Sequence, residues 1–432
     1  MAQIRGAQSG PVFAGFIGTG GAESNVIVSN DTITPPRPRG GIPRLRAQSI
    51  PLLSYGFRPF FLGAALWAVS AMVLWIGLLF GRWTFANTYG AVAWHAHEFL
   101  FGYVSAVLTG FLLTAIPNWT GRLPLQGRPL LALFLLWCVG RAALLTTDQI
   151  GDVAAAAIDC AYLPLLSAVI SREIIAGRNW RNLKVTILVA ALALANVLFQ
   201  VEVLVYGAPD YGLRLGCAAI IGLIMLVGGR ITPSFTHNWL ARQSSTKLPA
   251  SLDRFDMAAI ALAAGALLAW VVMPDWSGTA LLLVVAAIAQ AARLGRWAGE
   301  RTWREPIVVI LHLGYAFVPL GALALGVSIF WPAILTSSGA LHAWTTGAMG
   351  TMTLAVMTRA TLGHSGRAIV SAPTTTLIYG AVLVAALARM AAPMMPWIYH
   401  EALAVSALAW IVAFGGFVVV YGPMLLRARA GG

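Results

Sequence analysis

Long apolar runs alternate with short polar punctuation along this chain. Twelve runs approach the ~20 residues needed to cross a bilayer core. They fall at roughly 60–80, 91–116, 129–147, 152–171, 183–206, 211–229, 256–274, 278–295, 306–330, 338–360, 372–392 and 397–425. Clusters such as "GAPDYG", "MPDWSG" and "WPAILTSSG" break them with turn-forming residues. The pattern predicts an all-α integral membrane protein with twelve transmembrane helices. Residues 1–50 are rich in Gly, Pro, Ser and Arg, as in "TPPRPRGGIPRLR", and predict a disordered cytoplasmic tail. Residues 51–432 then form a single membrane domain.

Composition agrees with the pattern. Of 432 residues, 59% are hydrophobic and 10% are charged, against about 25% charged in soluble proteins. The net charge of +13 reads as topology. With an internal N-terminus, 24 Lys and Arg fall in internal segments and only Arg82, Arg214 and Arg389 in external turns. The positive-inside rule then places both termini in the cytoplasm. Nucleic acid is a poor partner, because no basic patch is interleaved with aromatics. Cys138, Cys160 and Cys217 lie within apolar runs and read as small buried hydrophobes.

Ionisable groups inside spans are costly and mark candidate function. The second run opens "AWHAHEFLFGY", placing His95, His97 and Glu98 near the outer surface. His342 opens the tenth run and His400 the twelfth, on the same side. On a helix His95 and His97 point about 200° apart, so one faces a cofactor and the other a second group. The expectation is that His97 and His342, supported by His95 and Glu98, form an outer-leaflet metal or haem site. Imidazole suits iron, copper and zinc alike; the structural reading, a satisfied buried histidine, stands beside it. The competing pair is His312 with His364, near the inner surface. Arg141 and Asp159 sit at matching depth on antiparallel neighbours and predict a buried ion pair, with Asn196 and Glu202 in the same outer half. Met390, Met394 and Met395 with His400 offer ligands that suit cuprous copper, although such methionines are more often packing.

Three inner helix ends echo one another: "AIPNWTGR", "GGRITPSFTHNWLAR" and "VMTRATLGHSGR". They lie four runs apart and suggest a three-by-four helix pseudo-repeat.

The stretches "GFRPFF", "WHAHEFLFGY", "GFLLTAIPNWTGR", "GGRITPSFTHNWL", "LHLGYAFVPLG" and "HAWTTGAMGTMTLAVMTRATLGHSGR" carry a resemblance. In their polar and aromatic residues the chain resembles the NnrS family of bacterial inner-membrane proteins. The resemblance implies a twelve-span protein of the bacterial inner membrane that contains haem and copper. It implies a link to the nitric oxide response and nitrosative stress, with nitric oxide as a small-molecule ligand, and no settled reaction or ligand set. Haem propionates would want arginines; Arg58, Arg230, Arg359 and Arg367 near the inner surface are candidates, and Glu98 would orient a ligating histidine. A second function class, a transporter or metal-handling permease with His, Glu98, Arg141 and Asp159 along its path, has the same span count.

Overall fold

A computed structural model describes residues 50–84 and 89–430. The expected N-terminal tail lies outside the described residues, apart from Ile50. In a bilayer every backbone N–H and C=O must find a partner within the protein, which favours helices. Among the described residues the regular structure is helical, with no strand. In order, the chain forms α1 (Phe57–Leu79), α2 (Gly90–Thr120), α3 (Arg128–Leu145), α4 (Asp152–Ala176), α5 (Trp180–Tyr206) and α6 (Tyr211–Arg242). It continues with α7 (Arg254–Val272), α8 (Ser277–Gly295) and α9 (Pro306–Phe330). A continuous helical run, α10, follows through Ser337–His342, Ala343–Gly350 and Thr351–His364. It precedes α11 (Pro373–Met394) and α12 (Pro396–Leu426).

Eleven of these helices are long and apolar enough to cross a membrane. The exception to the expected twelve is α10. His342, Thr345, Thr346, Thr351, Thr353, Thr358, Arg359, Thr361 and His364 punctuate it and dilute its apolar character. The protein is an all-α, multi-pass membrane protein whose surroundings are lipid.

α2, α6 and α10 pack pairwise against one another. Each contains a π-helical stretch: Glu98–Val104 in α2, Ile224–Gly228 in α6 and Ala343–Gly350 in α10. These are the three helices whose inner ends echo in sequence, so the echo has a structural counterpart at fourfold spacing. A π stretch widens the helix and weakens its hydrogen-bond ladder, and side chains supply partners there. Trp137 Nε1 donates to the Gly102 carbonyl at 3.0 Å. Arg293 Nη1 donates to the Met225 carbonyl at 3.2 Å. The Thr353 hydroxyl donates to the carbonyls of Met349 and Gly350 at 2.6 and 2.9 Å.

Candidate functional site

The first turns of α2 carry both His95 and His97, and the helical period sends them in different directions. The outer side of the bundle is the one that the charge distribution predicts. His97 is fully buried and faces α4 and α5. Its Nδ1 lies 3.1 Å from Glu98 Oε1. Its Nε2 lies 3.1 Å from Asp159 Oδ2 and 2.9 Å from Asn196 Oδ1, with the Gln200 amide nitrogen at 3.0 Å. Arg141 Nη1 donates to both Glu98 oxygens, at 2.8 and 2.7 Å, and Nη2 pairs with Asp159 Oδ1. Trp67 Nε1 donates to Glu98 Oε2 at 2.8 Å. The amides of Asn196 and Gln200 each donate to Asp159 Oδ2 at 2.9 Å, and the Tyr89 hydroxyl donates to Gln200 Oε1.

This network is closed except at Arg141 Nε, which is buried without a partner. Glu98 and Asp159 are 0% and 1% exposed, so water cannot screen them, and each must be matched by donors. Both nitrogens of His97 face carboxylates, an arrangement that the doubly protonated ring satisfies. Gly102 makes room: a Cβ there would sit 2.7 Å from Arg141 Nη1 and 2.8 Å from Glu98 Oε2.

His95 meets different surroundings. Its ring stacks on Trp75 with centroids 4.2 Å apart and packs against Phe99 at 4.7 Å. Its Nδ1 is buried without a hydrogen-bond partner. It lines a cavity of about 470 Å³ at the outer end of the bundle, together with His342, Arg389, Tyr103 and Trp410. His342 Nδ1 lies 2.6 Å from the Ser338 carbonyl. A carbonyl can only accept, so the proton sits on Nδ1 and the lone pair on Nε2, the form in which a histidine binds metal. Arg389 Nη1 is likewise buried without a partner.

The structure therefore brings His342 to the cavity of His95, whereas His97, expected to pair with His342, is turned into the closed network. Arg141 and Asp159 meet as an ion pair. The inner candidates do not gather into one site. His312 Nε2 lies 2.8 Å from the Thr236 hydroxyl, while the His364 ring packs against Phe57 at 5.4 Å. Arg58 donates to the Leu425 and Arg427 carbonyls at 2.8 and 2.6 Å and so caps the end of α12. Arg359 lies over the Phe235 ring at 3.6 Å, and Arg367 Nη1 has no partner. Glu202 accepts from the backbone N–H groups of Asp210, Tyr211 and Gly212 at 2.7–3.0 Å, which makes it the cap of α6. Met394 and Met395 are exposed, and the His400 ring packs near Phe80.

Sequence reasoning missed two arginines. The charge distribution places Arg389 in an external turn, yet it lines the cavity. Arg293 is one of the 24 basic residues of the expected internal segments, yet it is 1% exposed. It pairs with Asp256 at 3.0 Å and donates to the Tyr315 hydroxyl at 2.6 Å. The signal was its place within the last turn of α8, one helical turn from Gln290, instead of in the loop beyond.

Among the described residues, no three or more His, Cys, Asp or Glu side chains are grouped to hold a metal ion. No curated protein matches the chain. The family model described as "NnrS protein" matches residues 51–429, nearly the whole chain from its first helix to its last, and the chain therefore belongs to the NnrS family.

Proposed function

We propose that the outer cavity is a haem site, and that His95, His342 and Arg389 would hold the haem there. Family membership gives a role in the nitric oxide response in general, and the cavity supplies the finer reading. The observation that carries it is that His95 and Arg389, each with a buried nitrogen that has no partner, line one cavity together with His342, whose Nε2 lone pair is available. Unpartnered buried polar groups cost about 1–3 kcal/mol each, so two around one cavity argue for an occupant that satisfies them. The aromatic walls formed by Trp75, Phe99, Tyr103 and Trp410 suit a flat, largely apolar macrocycle. The cavity volume falls within the ~300–1,000 Å³ usual for small-molecule sites.

Haem iron would supply the binding of a diatomic gas and one-electron chemistry. The protein's own contribution is local. Ser338 fixes the tautomer of His342, Trp75 fixes the plane of His95, and Arg389 offsets a carboxylate's charge. The described residues offer no comparable set for copper, and the proposal concerns haem alone. The protein would sit in the bacterial inner membrane with both termini in the cytoplasm, acting against nitrosative stress by binding nitric oxide. The permease reading requires a lined path, but Glu98, Arg141 and Asp159 are closed upon one another. The test is a visible spectrum of the purified protein. A Soret band that shifts on reduction and is lost in both His95→Ala and His342→Ala supports the site. A band that persists unchanged in both variants overturns it.

A further inference from the structure

Three segments meet at the inner side of the bundle: the start of α1, the turn after α10 and the tail after α12. The three helices pack pairwise. The turn takes a φ of +78° at Gly366. A Cβ there would stand 2.6 Å from the Ala430 carbonyl oxygen and 3.3 Å from Arg429 Cγ and Nε. Only glycine lets the tail come so near, and the Ala430 N–H donates to the Ser365 carbonyl at 3.0 Å. Arg429 is thereby laid against the residue before Arg367. Arg58 Nη1 reaches the same tail, where it donates to the Leu425 and Arg427 carbonyls. Arg58 and Arg367 lie within electrostatic reach of each other, and Arg429 within reach of Tyr55 and His364.

No carboxylate meets this positive charge. Among the described residues, Arg58, Arg367, Arg427 and Arg429 form no ion pair. The sequence explains why. There is no Asp or Glu between Ile50 and His97, and only Glu401 between Pro306 and Gly432. Glu401 lies in the first turn of α12 and Arg427 just past its last, about 39 Å apart at 1.5 Å per residue. Glu305, at the inner end of α9, accepts from the Ser371 N–H at 3.1 Å instead. The C-terminal dipole of α12 offsets part of the Arg58 charge. Even so, Arg58 Nε and Arg367 Nη1 are both buried without a hydrogen-bond partner, and Arg58 as a whole is 2% exposed. Buried donors of this kind call for an acceptor, and the described chain supplies none.

We propose that this corner binds a phosphate group, and that in the membrane the group is the headgroup phosphate of an anionic phospholipid of the inner leaflet. Guanidinium groups match phosphate oxygens in charge and in geometry. Basic pockets at the cytoplasmic ends of membrane helices are where anionic headgroups collect. Apolar neighbours favour a lipid over free phosphate: Leu426 precedes Arg427, Ile369 and Val370 follow Arg367, and all three are exposed, as acyl chains require. The site is independent of the haem reading, whose cavity lies at the outer end.

Native mass spectrometry of the full chain, purified in detergent with equimolar phosphatidylglycerol and phosphatidylcholine, reads the lipid retained. The wild type should retain phosphatidylglycerol in preference. Arg367→Gln/Arg429→Gln spares the cap that Arg58 makes on α12, and should weaken that retention roughly tenfold, the lower end for a lost charge-assisted contact. Arg301→Gln/Arg304→Gln removes equal charge from another inner turn and should leave retention nearly unchanged. Circular dichroism and the melting temperature check folding. If the first double variant does not fold, Arg429→Gln, which alters one exposed side chain, takes its place. A second arm separates the sources of phosphate: inorganic phosphate, added in phosphatidylcholine nanodiscs at constant ionic strength, should raise the melting temperature less than phosphatidylglycerol does. Stabilisation by inorganic phosphate with no preference between the lipids overturns the lipid assignment. Equal losses in the two double variants, or a wild type indifferent to both phosphatidylglycerol and inorganic phosphate, overturn the site.

Discussion

Two histidines two residues apart on α2 have opposite surroundings. His97 has a partner at each ring nitrogen and no cavity, whereas His95 has an unpartnered nitrogen and a cavity beside it. A histidine whose partners are all protein groups is part of the structure. One whose nitrogen is left unpartnered beside a cavity is waiting for something else. The same contrast separates two arginines. Arg141 has both terminal nitrogens on Glu98 and Asp159, with its Nε alone unpartnered, whereas a terminal nitrogen of Arg389, Nη1, has no acceptor.

The largest effect should come from breaking the closed network. Asp159→Ala leaves Arg141 and His97 sharing the single carboxylate of Glu98 in a dry interior and should cost about 3–5 kcal/mol. Thermal unfolding in detergent checks it. The coupling is tested by the Arg141→Met/Asp159→Ala double variant, which should recover part of the loss. Equal instability of the double and the single variant would mean that the two groups act independently. Gly102→Ala should also destabilise, because the added methyl collides with Arg141 and Glu98.

The comparison sharpens when the two histidines are exchanged for alanine one at a time. His95→Ala should leave a folded protein that has lost haem. His97→Ala should lower stability first, and lose haem only as a consequence of poor folding. Haem content per folded molecule, from the Soret absorbance against the amount of monodisperse protein, separates the two. Equal loss in two equally stable variants would remove the distinction. Arg389→Ala should act less strongly. Losing one charge-assisted contact costs about 1.5–3 kcal/mol, seen as haem released roughly 10- to 100-fold faster to an acceptor such as apomyoglobin. Arg389→Lys, which keeps the charge, should recover part of the retention.

Much of the frame was legible because it depends on one-dimensional signals. Apolar run length locates the helices, and charge asymmetry argues for their orientation. The depth match of Arg141 and Asp159 needed only a rise per residue. The divergence of His95 and His97 needed only a helical period, but which of them faced a cavity needed the neighbours. Asn196 and Gln200 from α5 and Trp67 from α1 claim His97 or its carboxylates, Tyr89 holds Gln200 from a third segment, and no local pattern announces that convergence. The π stretches were equally hidden, since they depend on how three helices crowd together. α10 shows the reverse difficulty, because the threonines and histidines that make it informative also keep it short of the apolarity of the eleven candidate membrane helices.

The smallest effect lies at the inner surface, between the ends of α7 and α8. Asp253 caps α7 by accepting from the Asp256 N–H at 3.2 Å, and it pairs with the Arg296 guanidinium. That pairing, together with the cap, holds the Asp253 carboxyl below the usual aspartate range. The Lys247 ammonium, 2.6 Å away, lowers Glu300 in the same way. Both carboxylates are thus easier to ionise folded than unfolded. Their contribution is present above the unfolded values, about 3.9 for Asp and 4.3 for Glu, and is lost as pH falls through the lower folded values. Both sites are solvent-accessible, so screening keeps the effect small. Asp253→Asn isolates it, because asparagine is an equally good cap but carries no charge for Arg296. The variant should melt slightly below the wild type at pH 7, with a gap that narrows in 1 M salt and closes as the pH is lowered below 4. A gap that widened on acidification would reverse the sign of the linkage and assign the effect to the cap instead of the charge.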